Sequence, residues 1–113
     1  MEVSREIVFP VEPDEVWNAL TDPDRLEEWF ANDVELDPRP GGAGVFRWDN
    51  GEERRATVRV AEPGARLVLD WDDEGAVEFT LEQVADGTRL VVVETPPAFT
   101  TALELRAFAW QTA

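Results

Sequence analysis

Residues 9–30 read FPVEPDEVWNALTDPDRLEEWF, and this stretch decides the fold. Phe9 closes a strand. Pro13-Asp14-Glu15 then opens a helix, with carboxylates in its first turn, where the helix dipole favours negative charge. Val16, Trp17 and Leu20 fall at i, i+1 and i+4 and give that helix one apolar face. Thr21-Asp22-Pro23 ends it and begins a second helix. Asp22 is the expected N-cap, and Pro23 takes the first helical position, where its missing N–H costs no bond. Leu26, Trp29 and Phe30 continue at helical spacing. Folds that open this way more often surround a cavity than a catalytic triad.

Working outward, residues 3–10 alternate, with Val3, Ile7 and Phe9 on one face of a strand. From Asp33 the period changes to two. Val34 and Leu36 suggest a strand, and residues 38–44 a turn-rich connection. Residues 45–49 form a strand that turns at Asn50-Gly51, the strongest hairpin signal in the chain. Ala56, Val58 and Val60 alternate with Arg55, Thr57 and Arg59, and Glu62-Pro63-Gly64 turns the chain into Leu67, Leu69 and Trp71. Val77, Phe79 and Leu81 alternate with Glu78, Thr80 and Glu82. Asp86-Gly87 leads into residues 90–93, an apolar run that suits a central strand. Pro96-Pro97 stops the sheet, and Phe99, Leu103 and Trp110, with Ala102 and Ala107, support a final helix over about 98–112. The order is β-α-α-β-β-β-β-β-β-α. A meander with segregated helices is an α+β domain.

The 113 residues suffice for one domain with a real core, so residues 1–113 are read as a single unit. Hydrophobic residues at 43% and charged residues at 31% suit a folded chain. No apolar run approaches the roughly 20 residues of a membrane span. The start, MEVSREIVF, lacks the basic end and apolar centre of a signal peptide. Without cysteine there is no disulfide framework, and a cytoplasmic location is expected. The formal charge of −15 repels phosphate backbones and anionic lipid, so neither nucleic acid nor membrane is expected as a partner. All ten basic residues are arginine, which fits a GC-rich genome or adaptation to high salt.

The chain has no His, Cys, Lys or Tyr. That removes a Ser-His-Asp triad, a thiolate nucleophile, a Schiff-base lysine and a histidine or thiolate zinc site. Acid–base chemistry falls to Asp or Glu, and Glu78, Glu82 and Glu94 are strand positions where a carboxylate could face inward. No catalytic residue, cofactor or metal site is assigned. Residues 70–75 open like a calcium loop, D-x-D-x-E-G, but its twelfth position is Leu81 rather than a carboxylate, so a solvated turn is expected. Gly41-Gly42-Ala43-Gly44 lacks the Lys-Ser/Thr pair of a phosphate loop.

The order of elements, with V-W-x-A-L-T-D-P-x-x-L-x-x-W-F over residues 16–30, resembles the Bet v 1/START-like (SRPBCC) helix-grip superfamily. Within it, the chain is similar to the Aha1-like (Activator of Hsp90 ATPase homologue 1-like) branch. Pro40-Gly41-Gly42, Asn50-Gly51, Glu62-Pro63-Gly64-Ala65-Arg66-Leu67 and Gly87-Thr88-Arg89-Leu90 fall in that family's order, over about residues 3–95. The resemblance implies a curved antiparallel sheet of about seven strands gripping a C-terminal helix, with a cavity between them. The expected final helix, about 15 residues or roughly 22 Å, is shorter than usual for the family. The cavity is then open at one end, or a second copy completes it as a homodimer. The eukaryotic co-chaperones carry a separate N-terminal Hsp90-binding domain that this sequence lacks, so Hsp90 is not expected as a partner.

Five tryptophans lie on elements that such a fold brings around one interior. Trp17 reads as core. Trp29, Phe30, Trp48, Trp71, Phe79, Leu103 and Trp110 are the candidate lining of a site for a small hydrophobic or aromatic molecule. Arg47, Arg54 and Arg59 sit in strands where alternation could turn one of them inward to hold a ligand carboxylate or phosphate; outer-face pairing with acids is the commoner fate. The expected function is binding of such a molecule. The alternatives are a cyclase- or hydrolase-like enzyme using a carboxylate, or a protein-interaction module of co-chaperone or homodimer type.

Overall fold

A single residue joins the two helices. In the computed structural model, which describes residues 3–72 and 75–95, β1 (Val3–Phe9) leads into α1 (Pro13–Thr21) and α2 (Pro23–Trp29). Asp22 ends α1, its N–H donating to Asn18 O at 2.8 Å, and caps α2, its Oδ1 accepting from Asp24 N at 2.9 Å. Thr21 Oγ1 donates to Trp17 O at 2.8 Å and satisfies one of the carbonyls that a helix end leaves open. The buried indole Nε1 of Trp29 donates to Ala19 O at 2.7 Å and fixes α2 against α1.

Six strands follow: β2 (Asp33–Leu36), β3 (Ala43–Arg47), β4 (Glu53–Glu62), β5 (Arg66–Trp71), β6 (Ala76–Val84) and β7 (Gly87–Thr95). They form one antiparallel seven-stranded sheet in the order β1-β7-β6-β5-β4-β3-β2. The run at 90–93 is indeed in an interior strand, with β1 on one side and β6 on the other. With two helices beside a curved meander, this is the α+β helix-grip architecture. The final helix expected over 98–112 lies outside the described residues. Among the described residues, no helix is long and apolar enough to cross a membrane.

Register assigns the faces, because directly paired residues point the same way. Ile7, Leu90, Leu81 and then Val92, Phe79, Leu67 form successive rows of the inner face, toward the helices. Two details depart from the sequence pattern. The third strand runs Ala43–Arg47 rather than 45–49: Gly44 already pairs with Leu36 and Ala56, while Trp48 N bonds Glu52 O at 2.9 Å to close the hairpin. Second, the register of β4 shifts between Val58 and Val60. This bulge turns Val60 to the outer face opposite Val68 and brings Ala61 inward opposite Leu67, so Val60 does not share a face with Ala56 and Val58.

The outer face carries the charge. Arg47 bonds Asp33 at 2.7 Å, Glu35 at 2.8 Å and Glu53 at 3.0 Å, tying β2, β3 and β4 together. Arg59 pairs with Asp70, Arg66 with Glu78, and Arg89 with both Glu6 and Glu82. Val68, buried on this face, sits between Val60 and Glu78 across the strands and between Arg66 and Asp70 along β5. The hydrogen bond from Arg55, reinforced by Arg47, holds the Glu53 carboxyl below the usual glutamate range. Arg39 does the same for Asp37, and hydrogen bonds to Glu35, Asp33 and Glu53 push the Arg47 guanidinium up.

The start of β7 secures the approach to α1. Gly87 has φ +140°, and a Cβ there would meet Phe9 O at 2.0 Å. Thr88, fully buried, donates Oγ1 to Val11 O at 2.8 Å. Gly87→Ala is therefore expected to cost about 2–3 kcal/mol. Thr88→Val, of similar shape but without the donor, should cost about 1–2 kcal/mol. Urea unfolding measures both, and unchanged midpoints would contradict this stitching.

Glu53 provides a pH test with a definite sign. Its pKa is lower folded than unfolded, so the stability it contributes is complete above the unfolded value and disappears as pH falls through the folded one. The urea midpoint of the wild type should exceed that of Glu53→Gln at pH 7. The gap should close below about pH 4, where an ordinary glutamate titrates. A gap that widens on acidification refutes the assignment. Comparing the pair cancels the relief of general repulsion that acid brings to a chain of charge −15.

Candidate functional site

The strand and helix periods converge on one interior patch. Leu20 comes from α1, Leu26 and Trp29 from α2, and Phe30 from its C-cap; Phe46 comes from β3, Leu69 and Trp71 from β5, and Val77 and Phe79 from β6. All nine are buried, yet they leave a cavity of about 20 Å³ between them. The space is continuous with a depression that reaches solvent.

Aromatic edges hold one side of this wall. Phe30 packs edge-on against Phe46 at 5.4 Å and against Trp48 at 5.4 Å between ring centroids, and tilts toward Trp29 at 5.5 Å. Phe46 in turn meets Trp71 edge-on at 5.7 Å. Such pairs contribute about 0.5–1.5 kcal/mol each beyond the area they bury. Trp48 Nε1 also donates to Phe30 O at 2.9 Å. Glu27 Oε2 accepts from Val34 N at 2.9 Å and locks the far end of α2 to β2.

Of the seven candidate lining residues, Trp29, Phe30, Trp71 and Phe79 come together at the cavity. Trp48 stands behind Phe30, half-buried and outside the lining. Leu103 and Trp110 lie outside the described residues. Trp17 packs against the core without reaching the cavity. Sequence reasoning passes over Phe46, Leu69 and Val77, although strand alternation alone marks them as inward. It also leaves Leu20 and Leu26 as plain helix-face residues.

Two charged side chains share the inner face. Arg54 pairs with Phe46 in the register, and its guanidinium carbon lies 4.6 Å from the centroid of the Trp71 ring. Arg47 and Arg59 instead face outward, so Arg54 is the inward arginine of the three. Glu94 pairs with the cavity residue Val77 and is only 3% exposed. Glu78 and Glu82 turn outward to Arg66 and Arg89, at 2.6 Å each. Asp70, first acid of the calcium-like stretch, also faces out and accepts from Arg59.

Solved structures share this arrangement. The Aha1 dimer protein from Colwellia psychrerythraea, known from a solution structure, matches with a TM-score of 0.86 at 18% identity, over 98% of this chain and 93% of that one. MLL2253 from Mesorhizobium loti matches with a TM-score of 0.79 at 24% identity, over 98% and 90%. DynU16, from the dynemicin biosynthetic locus, matches with a TM-score of 0.77 at 26% identity over 97% of this chain, which spans 43% of that protein. No curated protein sequence matches the chain. The model of the family described as Activator of Hsp90 ATPase homolog 1-like protein matches residues 10–112, and the chain belongs to that family, the Aha1-like branch of the SRPBCC superfamily that its sequence resembles.

Proposed function

We propose that this protein binds a small hydrophobic or aromatic molecule between the inner face of the sheet and the helices. The observation that carries this reading is the unfilled space of about 20 Å³ inside an otherwise filled apolar core. Protein interiors are close-packed, and a gap walled by aromatic rings is a place where an apolar guest gains dispersion contacts. The space holds about one water, so a larger guest must turn wall side chains aside. Trp29, Phe30, Trp71 and Phe79 are the proposed contacts, with Leu103 and Trp110 as further contacts from the segment read as a final helix. Similarity to a protein of a biosynthetic locus points the same way, toward a small organic molecule. No cofactor is part of this proposal, and Hsp90 is not proposed as a partner. Self-association is proposed by analogy with the Colwellia dimer, and light scattering across a concentration series tests it.

Glu94 favours a second reading. A carboxylate turned toward the core is what a cyclase- or hydrolase-like enzyme of this superfamily needs for acid–base chemistry. Incubating any ligand found with wild type and with Glu94→Gln separates the two readings. A new product with wild type alone favours catalysis; recovery of unchanged ligand from both favours binding.

Titration with lipids, aromatic polyketides and hydrophobic acids should quench or blue-shift the tryptophan emission. Trp71→Phe should lose much of the response, whereas Trp48→Phe should keep it, because Trp48 stands outside the lining. A panel that gives no response sinks the binding proposal. So does a response that follows Trp48 instead of Trp71.

A further inference from the structure

The charge on this chain is sorted by face, and Arg54 breaks the sorting. Arg47, Arg55, Arg59, Arg66 and Arg89 all make outer-face ion pairs with carboxylates on their own or neighbouring strands. Arg54 is turned the other way by the same alternation, opposite Phe46. Among the described inner-face residues of β3 to β6 it is the one cation. Its side chain is half-buried, and its Nε atom has less than 1 Å² exposed to solvent. Taking a guanidinium this far from water is costly, and the Trp71 ring beneath it recovers part of that cost through a cation–π contact.

The position matters as much as the charge. Trp71 and Phe46, the two rings Arg54 adjoins, are both cavity walls. A guanidinium stacked on a ring keeps its N–H donors in its own plane, directed past the ring's edge. That geometry suits a carboxylate, which accepts two parallel bonds from the planar fork. Glu94 supplies the contrast: it is on β7, three strands from β4, or about 14 Å across the sheet. A ligand anion is attracted at the Arg54 end and repelled at the Glu94 end.

We infer that Arg54 and Trp71 form the polar end of the cavity and that the ligand is an apolar carboxylic acid, its carboxylate on the Arg54 guanidinium and its body against Phe46, Trp71 and Phe79. The inference rests on the cavity being a ligand site, as proposed above. The stacked guanidinium fixes the orientation of the guest as well as its class. Cationic amphiphiles are excluded from this end, and neutral ones lose the anchoring pair.

Calorimetric titration with 2-naphthoic acid and its neutral isostere 2-naphthamide, at physiological ionic strength, tests this. Wild type should bind the acid about tenfold or more tightly than the amide, as one charge-assisted bidentate pair warrants. Arg54→Met keeps an aliphatic stem over Trp71 and removes the charge. It should weaken the acid by about that same factor, leave the amide within about twofold, and abolish the preference. Arg54→Lys should restore part of it. Circular dichroism melting confirms folding of each variant, and the acid–amide comparison in wild type stands even if a variant fails to fold. Equal affinity of wild type for acid and amide overturns this inference and leaves the cavity proposal intact. A preference that survives Arg54→Met does the same. Binding of neither probe overturns both.

Discussion

The hydrogen bond from Trp29 Nε1 to Ala19 O, buried and 2.7 Å long, sets the geometry on which the interior depends. Seven and nine residues are too few for either helix to persist alone. They hold together because Asp22 caps both ends of one joint and the indole bridges the angle that the joint leaves free. That angle delivers Leu20, Leu26 and Phe30 to one spot above the sheet. Without the bridge, the indole N–H and a helical carbonyl are both left buried and unsatisfied, a combination folded proteins avoid.

The sheet meets this support with its charges turned away. Ion pairs as exposed as those of Arg47 or Arg59 contribute little individually and are screened by salt. Their consequence is segregation more than stability. A chain of charge −15 keeps almost every ionised group on the outer face of the sheet, which leaves the inner face free for packing. Arg54 and Glu94 are exceptions on a face otherwise given to Leu, Val, Phe and Trp, and each abuts a cavity wall. Buried charge carries a desolvation cost that packing alone gives no reason to accept.

How much of this was legible in the sequence follows from the range of each signal. The two helices, their shared cap and the hairpin at Asn50-Gly51 rest on neighbours within a few residues, and local chemistry settles them. The faces of β4 do not. Val58 and Val60 look equivalent to a period-two pattern, and only the pairing with β5 shows that a bulge separates them. Trp48 looked like a wall because the strand was read through to residue 49. Its backbone instead closes the hairpin, and the ring backs Phe30 from outside. Phe46 went unnoticed between Arg47 and Trp48, residues with louder side chains but peripheral positions. Arg54, Arg47 and Arg59 were indistinguishable as three arginines in strands. What separates them is which partner lies opposite, and that is a long-range fact.

The void itself also constrains what can occupy it. A buried water needs two to four polar partners, and nine apolar side chains supply almost none. The Trp29 indole, a polar group in the wall, is already committed to Ala19. The space is therefore better matched to apolar matter than to solvent. Its two walls differ in stiffness. Leu69, Val77 and Phe79 stand on strands paired on both sides in a seven-stranded sheet, so their backbone cannot yield without breaking ladders. The opposite wall hangs on a two-turn helix fixed by Trp29 at one side and by the Glu27–Val34 bond at its end. Rotation of Phe30, or a small tilt of that helix, breaks fewer bonds than any movement of the sheet. Accommodation of a guest therefore falls to α2, while the sheet supplies the fixed template, with Arg54 and Trp71 at one end of it.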